Sequence, residues 1–562
     1  MTIRSSCNLR FILFLVLACL YCSCSNPSAD VPEKAQVAVL PDMAFSQTAD
    51  LIEVYDFLEV QITVASPTAK NPFTEVFVTG KVEPVNHNES FSVAGFCDSP
   101  DGTIFRVRFM PIEPGEYRYA VTYWQDNLQR VYSGKFKAVN GRHRGMIDVD
   151  SEYPWHFIWK GTGEHYFLNG TTAFMLMGWD DEKVIRESID RLHLHKVNRI
   201  RVMLHGRIED FVTEPIKPGR EFHATVNPWV AKYPDSISNP GFDFARFNCL
   251  YWQKFERMLM YAREKDMIIS VVFEWNVTTI HPAAGSQDER RYIRYAVARL
   301  GTYSNITWDL GDDLDGFRDD VWTHETGTFL HDLDPYHHLA TSHPMSNNHQ
   351  DRSSSWFGMT SFQEWKRPLH EWMLEQRRLQ VATGRIIPQV NEEYGYEDHY
   401  PKWAPYKFPS ASSEANRRAA WEIAMAGGYQ TTGETAKRGT GVAPDSGGGW
   451  VNGRGDDTMV MLKGYAHMVD FFTGFEWWKL DPHDELVNRG SFCLTDLDRR
   501  YVIYLPHGGN VTVKLKDGRY EAKWFNPRMG EYSTSSVAEG PMWASPPSPD
   551  RDDWVVLISR SQ

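Results

Sequence analysis

Arg385-Ile-Ile-Pro-Gln-Val-Asn-Glu-Glu-Tyr-Gly-Tyr-Glu-Asp398 runs from a short apolar segment, Ile386 to Val390, straight into two carboxylates and two tyrosines. β-Branched residues in a run of this length read as a buried strand, and the polar burst reads as its exposed end. A second segment, Ser304-Asn-Ile-Thr-Trp-Asp-Leu-Gly-Asp-Asp-Leu-Asp315, repeats the design. In parallel α/β folds the chemistry sits at the carboxyl ends of strands, where the loops are free to vary. Acidic residues at such ends also cap the helices that follow them. Two segments built alike favour a shared site over two independent caps.

Outward from these two, residues 141–475 alternate strand and helix. Strands are expected at Tyr166–Met177, Val197–Leu204, Met267–Phe273, Asn305–Leu310, Leu339–Ser342, Trp356–Thr360, Ile386–Val390 and Gly428–Thr432. Helical patterns lie between them, at Glu182–His195, Phe247–Lys265, Asp288–Leu300, Gly316–Leu330 and Ser413–Ala426. Eight such units without a glycine-rich nucleotide turn after the first strand specify a (β/α)8 TIM barrel rather than an open sheet. Arg207–Asp243, with Trp229 and several prolines, reads as an excursion over the active face. Ser446-Gly-Gly-Gly-Trp450 reads as a mobile loop tip.

The flanks are all β. Short alternating runs within residues 39–140, punctuated by Ser66-Pro67, Asn71-Pro72, Asp101-Gly102 and Pro114-Gly115, fit an immunoglobulin-like β-sandwich. Residues 476–562 return to the same pattern, with turns at Asp517-Gly518 and Asn526-Pro527, as a small antiparallel β-domain. At the start, Arg4 and Arg10 precede the apolar run Phe11–Leu20 and then Tyr-Cys-Ser-Cys-Ser-Asn, the plan of a secretory signal. The run is shorter than the roughly 20 residues that span a bilayer. A cysteine at its end resembles a bacterial lipobox, so 1–23 is read as a lipoprotein signal peptide and Cys24 as the lipidated residue. Cys22, Cys19 and an ordinary cleaved signal are the alternatives. Residues 24–38 are the linker from an outer-membrane lipid anchor to the first domain.

Of seven cysteines, only Cys97, Cys249 and Cys493 lie in the folded body beyond Cys24, too far apart for a zinc ribbon or a disulfide framework. A net charge of −14 offers nothing to a phosphate backbone and argues against nucleic acid as a partner. The 14% aromatic content is rich. Most of these rings must be core, but aromatic faces also suit the apolar side of a sugar ring.

The strand ends carry candidate site residues in turn: Trp179 and Asp180 after the first, Arg201 and His205 on the second, Glu274 and Trp275 on the third, Asp312 and Asp313 on the fourth, His343 on the fifth, Glu393 and Tyr394 on the seventh, Glu434 on the eighth. Cleavage of a glycosidic bond needs one carboxyl to protonate the leaving oxygen and another to attack or to activate water. Strands four and seven face each other across a barrel, so Asp312 or Asp313 is the acid/base and Glu393 the nucleophile, with Tyr394 beside it. Two carboxylates perform every proton and bond transfer, so no cofactor is needed and the partner is a carbohydrate. Two other readings exist: Asp312, Asp313, His343 and Glu393 as a divalent metal site, which no His-x-His or His-Glu-x-x-His spacing supports, and a surface lipoprotein that captures glycans without cleaving them.

The order Phe167-Leu-Asn-Gly170, Arg199-Ile-Arg201, Trp308-Asp-Leu-Gly-Asp312, Ser342-His-Pro344 and Asn391-Glu-Glu-Tyr-Gly-Tyr396 resembles the apiosidase-like glycoside hydrolases. The resemblance implies a (β/α)8 enzyme related to the family 5-like retaining glycosidases, with acid/base and nucleophile on strands four and seven. Relatives in the wider clan end strand four in Asn-Glu, where this chain has Asp312-Asp313. Tyr55-Asp-Phe-Leu-Glu-Val60 and Phe109-Met-Pro-Ile-Glu-Pro-Gly115 look like the sandwich that precedes such barrels. Tyr501-Val-Ile-Tyr-Leu-Pro506 and Trp524-Phe-Asn-Pro-Arg528 look like the collagen-binding-like β-domain that follows them.

Overall fold

Eight short strands enclose one axis: β1 (Asn169–Thr172), β2 (Arg199–Met203), β3 (Ile268–Trp275), β4 (Ile306–Asp312), β5 (Ala340–Thr341), β6 (Thr360–Gln363), β7 (Gln389–Glu393) and β8 (Tyr429–Thr432). The computed structural model describes residues 40–85, 90–207, 222–223, 225–276, 278, 280–345, 352–397, 411–434, 448–455 and 460–561. All ladders in this sheet are parallel, in the order β5-β4-β3-β2-β1-β8-β7-β6. The seam between β5 and β6 has no ladder, but Gly358 N–H donates to Ala340 O at 2.8 Å and the Thr341 hydroxyl to Met359 O at 3.0 Å. That closes the barrel. β-Branched runs such as Ile268–Val272 are buried on both faces, as strands lined by helices outside and side chains inside must be.

Three strands differ from the sequence expectation by three residues or more. The seventh, expected at Ile386–Val390, is Gln389–Glu393, so its carboxylates lie inside the strand and buried, paired by β6 and β8, rather than at an exposed end. The first ends at Thr172, not Met177, because Ala173–Met177 crosses the barrel mouth: Ala173 N–H donates to Arg201 O and Met175 N–H to Val451 O. The sixth begins at Thr360, where the expected one ended; Trp356 and Phe357 instead stack on each other with ring centres 3.6 Å apart. Local β propensity marks these runs as extended, but only the neighbouring strands decide which residues pair. The expected helices form, most of them with a side-chain cap; Asp181, for example, accepts from Lys183 N–H at 2.9 Å at the head of Glu182–Leu194. His370–Ala382 and Met461–Thr473 add to the outer ring.

The N-terminal domain is a sandwich of a four-stranded sheet (Met43–Gln47, Leu58–Val64, Ile104–Phe109, Phe96–Cys97) and a five-stranded sheet (Leu51–Glu53, Leu128–Val139, Gly115–Gln125, Val76–Pro84, Phe91–Ala94). Gly80 is required at its centre: a Cβ there would lie 2.6 Å from Phe109 and Val107. The domain is clamped to the barrel by a buried ion network. Arg108 donates to Glu59 at 2.8 Å and to Glu256 at 2.5 Å, while Arg299 bridges Glu256 at 3.0 Å and Asp98 at 2.7 Å. Burial opposes ionisation of Glu256, yet Arg108 and Arg299 outweigh it and bring its pKa down to about 2. Without Arg108, Glu59 would keep only Arg106 and Glu256 only Arg299, and losing one member of such a buried network costs up to about 3–5 kcal/mol. Arg108→Met is therefore expected to lower the denaturant midpoint by a corresponding amount; an unchanged midpoint would show the clamp to be energetically neutral.

The C-terminal domain is a seven-stranded antiparallel sheet, with the small pair Thr512–Lys514 and Met542–Ala544 beside it. It packs on Ser413–Met425: Trp421 stacks on Tyr504 at 5.6 Å, and Arg417 donates to Asp553 at 2.6 Å. Cys97, Cys249 and Cys493 are buried free thiols. The leader, Cys24, the linker and residues 208–221 of the excursion lie outside the described residues.

Candidate active site

Arg199 and Arg201, two apart on β2, project to the same side, into the barrel. Arg199 Nη1 donates to both Glu392 oxygens at 2.8 Å and Nη2 to Ser270 Oγ at 2.8 Å. Arg201 Nη2 donates to Asp312 Oδ1 at 2.7 Å and to Asp309 Oδ2 at 3.1 Å. Arg199, Arg201, Asp309, Asp312 and Glu392 are at most 2% exposed. Two guanidiniums thus face the carboxyls of Asp309, Asp312, Asp313, Glu392 and Glu393. Without water to screen them these cannot all ionise, and the surplus must hold protons.

Each carboxyl resolves the surplus differently. Burial pushes Glu392 up, but Arg199 and Arg201 together prevail and keep it ionised. Burial, against Arg201, raises Asp309 to about 7. Asp312 is raised by burial and restrained by Arg201 and by a hydrogen bond from Trp275. Asp313 sits in the left-handed region, φ 54°, at the turn ending β4, which swings it out of the strand's alternation. It is the partly exposed member of the two aspartates, its Oδ1 receives no hydrogen bond, and burial with the charges of Asp312 and Glu393 holds it far above the carboxylate range.

Glu393 ends β7. Its Oε1 accepts from Gln363 Nε2 at 2.9 Å, and the Tyr396 hydroxyl bonds the same carboxyl. Burial and the Asp312 charge nevertheless raise it to about 8. Polar atoms of Asp312, His343 and Glu393 lie within 4.8 Å of one another. His343 is buried beside Arg201, Arg199 and Arg352, which with burial keep the imidazole neutral. These three side chains could hold a metal. The Arg201 guanidinium, 2.7 Å from Asp312, already supplies the positive charge a cation would bring.

The structure brings together Asp312, Asp313, Glu393, His343, Arg201 and Trp275. It does not bring the other candidates to that cluster. Tyr394, expected beside the nucleophile, turns away: its hydroxyl donates to Gln430 Oε1 at 2.8 Å and accepts from the Tyr465 hydroxyl at 2.5 Å. Gly395, at φ 124°, reverses the backbone so that Tyr396 returns to Glu393 instead. Glu434 is gripped by Arg191 from the outer ring, with Nη2 at 3.0 Å. Glu274 is committed to Arg318 at 2.8 and 3.0 Å. Asp180 is exposed and meets His223 at 2.9 Å. Trp179 donates to Asn452 O at 2.8 Å and leans on Phe222. His205 is enclosed edge-on by Trp229 and Phe242 of the excursion, at 4.9 and 5.5 Å.

Trp450 corrects the loop-tip expectation. It is 3% exposed, in the short helix Gly448–Asn452, and stacks on Tyr396 at 5.1 Å with 13° between planes. Residues 446–447 lie outside the described residues. Tyr396, Gln363, Asp309 and Trp450 are the members that strand-end reasoning missed. Only Tyr396 left a signal, the Gly395 before it.

Residues 157–434 match the family model described as the apiosidase-like catalytic domain. Residues 51–123 match a domain of unknown function, DUF5060, and residues 487–559 the model described as "Putative collagen-binding domain of a collagenase". A crystal structure from Bacteroides vulgatus, described as a "putative glycoside hydrolase", superposes with a TM-score of 0.76 at 19% identity, covering 91% of this chain and 100% of that one. A glycoside hydrolase family 5 structure from the same organism gives 0.58 at 14% identity, covering 74% and 93%. These likenesses show the fold. Curated protein sequences give no match.

Proposed function

With residues 157–434 an apiosidase-like catalytic domain on a glycoside hydrolase-like fold, we propose that this chain hydrolyses O-glycosidic bonds of a complex poly- or oligosaccharide with retention of configuration. The observation that carries this reading is the meeting of the β4 and β7 carboxyls at one mouth: oxygens of Asp312 and Glu393 lie within 4.8 Å, and Asp313 is near enough to feel the charges of both. Retention is the outcome expected when two such carboxyls share one sugar with no room between them for water.

Glu393, as the carboxylate, attacks the anomeric carbon while the bond to the leaving oxygen breaks. Asp313 passes its proton to that oxygen. Water then enters, gives a proton to the Asp313 carboxylate and displaces Glu393 from the glycosyl ester, restoring both groups. Asp313 is the better acid of the two aspartates because it keeps its proton and has an open edge. Asp312 is occupied by Arg201 and Trp275 and serves to set the charge around Glu393. Tyr396 and Gln363 orient the nucleophile.

A pH dependence follows. Glu393 must lose its proton to act, and burial beside Asp312 raises it to about 8. Asp313, which burial and the charges of Asp312 and Glu393 hold well above the usual carboxylate range, must keep its own. In the free enzyme kcat/KM should therefore rise as the pH passes through about 8 and fall again where Asp313 gives up its proton, a bell displaced to the alkaline side of an isolated carboxyl pair. An optimum near pH 5 would contradict these assignments.

Incubation with mixed plant and microbial glycans tests the function itself. Release of reducing ends, unaffected by chelator and abolished in Glu393→Gln, supports the glycosidase. Loss on chelation would indicate a metal site, and binding without turnover a capture protein. The leader reading places the enzyme on the cell envelope, anchored at Cys24; loss of fatty-acid labelling in Cys24→Ala tests that part.

A further inference from the structure

The outer face of the five-stranded sheet in the N-terminal sandwich grades from uncharged at one end to charged at the other. Strand register sets its residues in rows across neighbouring strands. The first row is Phe77, Trp124 and Gln129, the second Thr79, Thr122 and Val131. The third row, Lys81, Ala120 and Ser133, brings in one cation, and beyond it Glu83, Arg118 and Lys135 form a fully charged row. Phe77 is 64% and Trp124 41% exposed, although they stand directly opposite each other in the ladder. Cross-strand partners of this kind have Cβ atoms about 5 Å apart, so the two side chains stand side by side on the surface. Neither ring packs against another aromatic among the described residues. Large aromatics gain nothing in water, and a contiguous exposed patch marks an interaction site.

We propose that this end of the sheet is a docking surface for a neutral glycan chain. The occupant follows from the lining. Two aromatic rings offer faces for the C–H side of sugar rings, while Thr79, Thr122 and Gln129 supply donors and acceptors for hydroxyls without a net charge. A neutral, hydroxyl-rich ligand matches the uncharged rows and has nothing to gain from the charged one. A polyanion would favour Arg118 and Lys135 instead. The sandwich meets the barrel through Arg108 and Phe73, which reach Glu256 and Tyr295 on the barrel's outer helices, so this surface is separate from the carboxylate cluster. The class of ligand rests on the hydrolase reading above; the surface itself does not.

Affinity electrophoresis of the full chain, in native gels containing arabinoxylan, β-glucan or pectin, tests the surface. Retardation is expected in the arabinoxylan or β-glucan gel, reduced at least tenfold in apparent affinity in Phe77→Ala/Trp124→Ala and largely kept in Phe77→Tyr/Trp124→Tyr. Both positions are exposed, so neither variant should unfold, and release of reducing ends from a short oligosaccharide should be unchanged. Equal retardation of wild type and double-alanine variant, retardation by pectin alone, or none in any gel would overturn the proposal. So would a dimer in sedimentation that the double variant makes monomeric, which would assign the patch to a second copy of the chain. Glu393→Gln separates the two readings: its retardation without turnover keeps the surface whatever becomes of the hydrolase assignment.

Discussion

Glu393→Gln is expected to lower kcat by roughly 10³- to 10⁵-fold, the scale on which removal of a covalent nucleophile is felt. The amide keeps the shape that Gln363 and Tyr396 surround but cannot form the glycosyl ester. The same variant should also become more stable at alkaline pH. The folded pKa of Glu393 is raised to about 8, whereas an unfolded glutamate titrates near 4.3. Between those values the unfolded chain releases a proton that the folded one keeps, so wild-type stability falls as pH rises through that window. Below it both states are protonated and there is no difference. Glutamine does not titrate, so this part of the fall should vanish. Thermal melts at pH 5 and pH 8 provide the check: a wild-type drop that Glu393→Gln reproduces in full would remove the buried-acid picture of this residue.

Asp313→Asn is expected to cost roughly 10²- to 10⁴-fold on substrates with a sugar leaving group, the usual range for general acid–base catalysis. With a leaving group that departs unprotonated, such as a nitrophenolate, bond cleavage should be nearly unaffected and the ester should accumulate, because its breakdown still needs the base. A burst of nitrophenolate followed by a slow steady rate is the expected trace. Asp312→Asn should behave differently. It takes away one of the carboxyls bound to Arg201 and relieves Glu393 of its largest repulsive charge. The alkaline activity maximum should therefore move to lower pH, with no burst. If the burst belonged to Asp312→Asn, the two aspartates would have exchanged roles.

Both experiments depend on a distinction that a linear chain does not contain. Period-two alternation says that Glu392 and Glu393 face opposite ways, but not which faces the mouth. That is decided by Arg199, distant in sequence, which binds Glu392 inside the barrel. The same holds for Asp312 and Asp313, where Arg201 takes the first and a left-handed turn frees the second. A strand that simply continues would place Tyr394 beside Glu393; Gly395 ends that continuation and delivers Tyr396.

What the sequence determined by itself is the succession of elements: eight strand–helix units with carboxylates at the ends of β4 and β7, and β-rich domains on either side. Hydrophobic period and turn residues are local properties, readable wherever they occur. What only the tertiary structure decided is partnership. Glu274, Glu434 and Asp180 stand at the expected side of the barrel, yet Arg318, Arg191 and His223 claim them. A carboxylate's role depends on which charge lies within a few ångströms of it, and that neighbour comes from elsewhere in the chain.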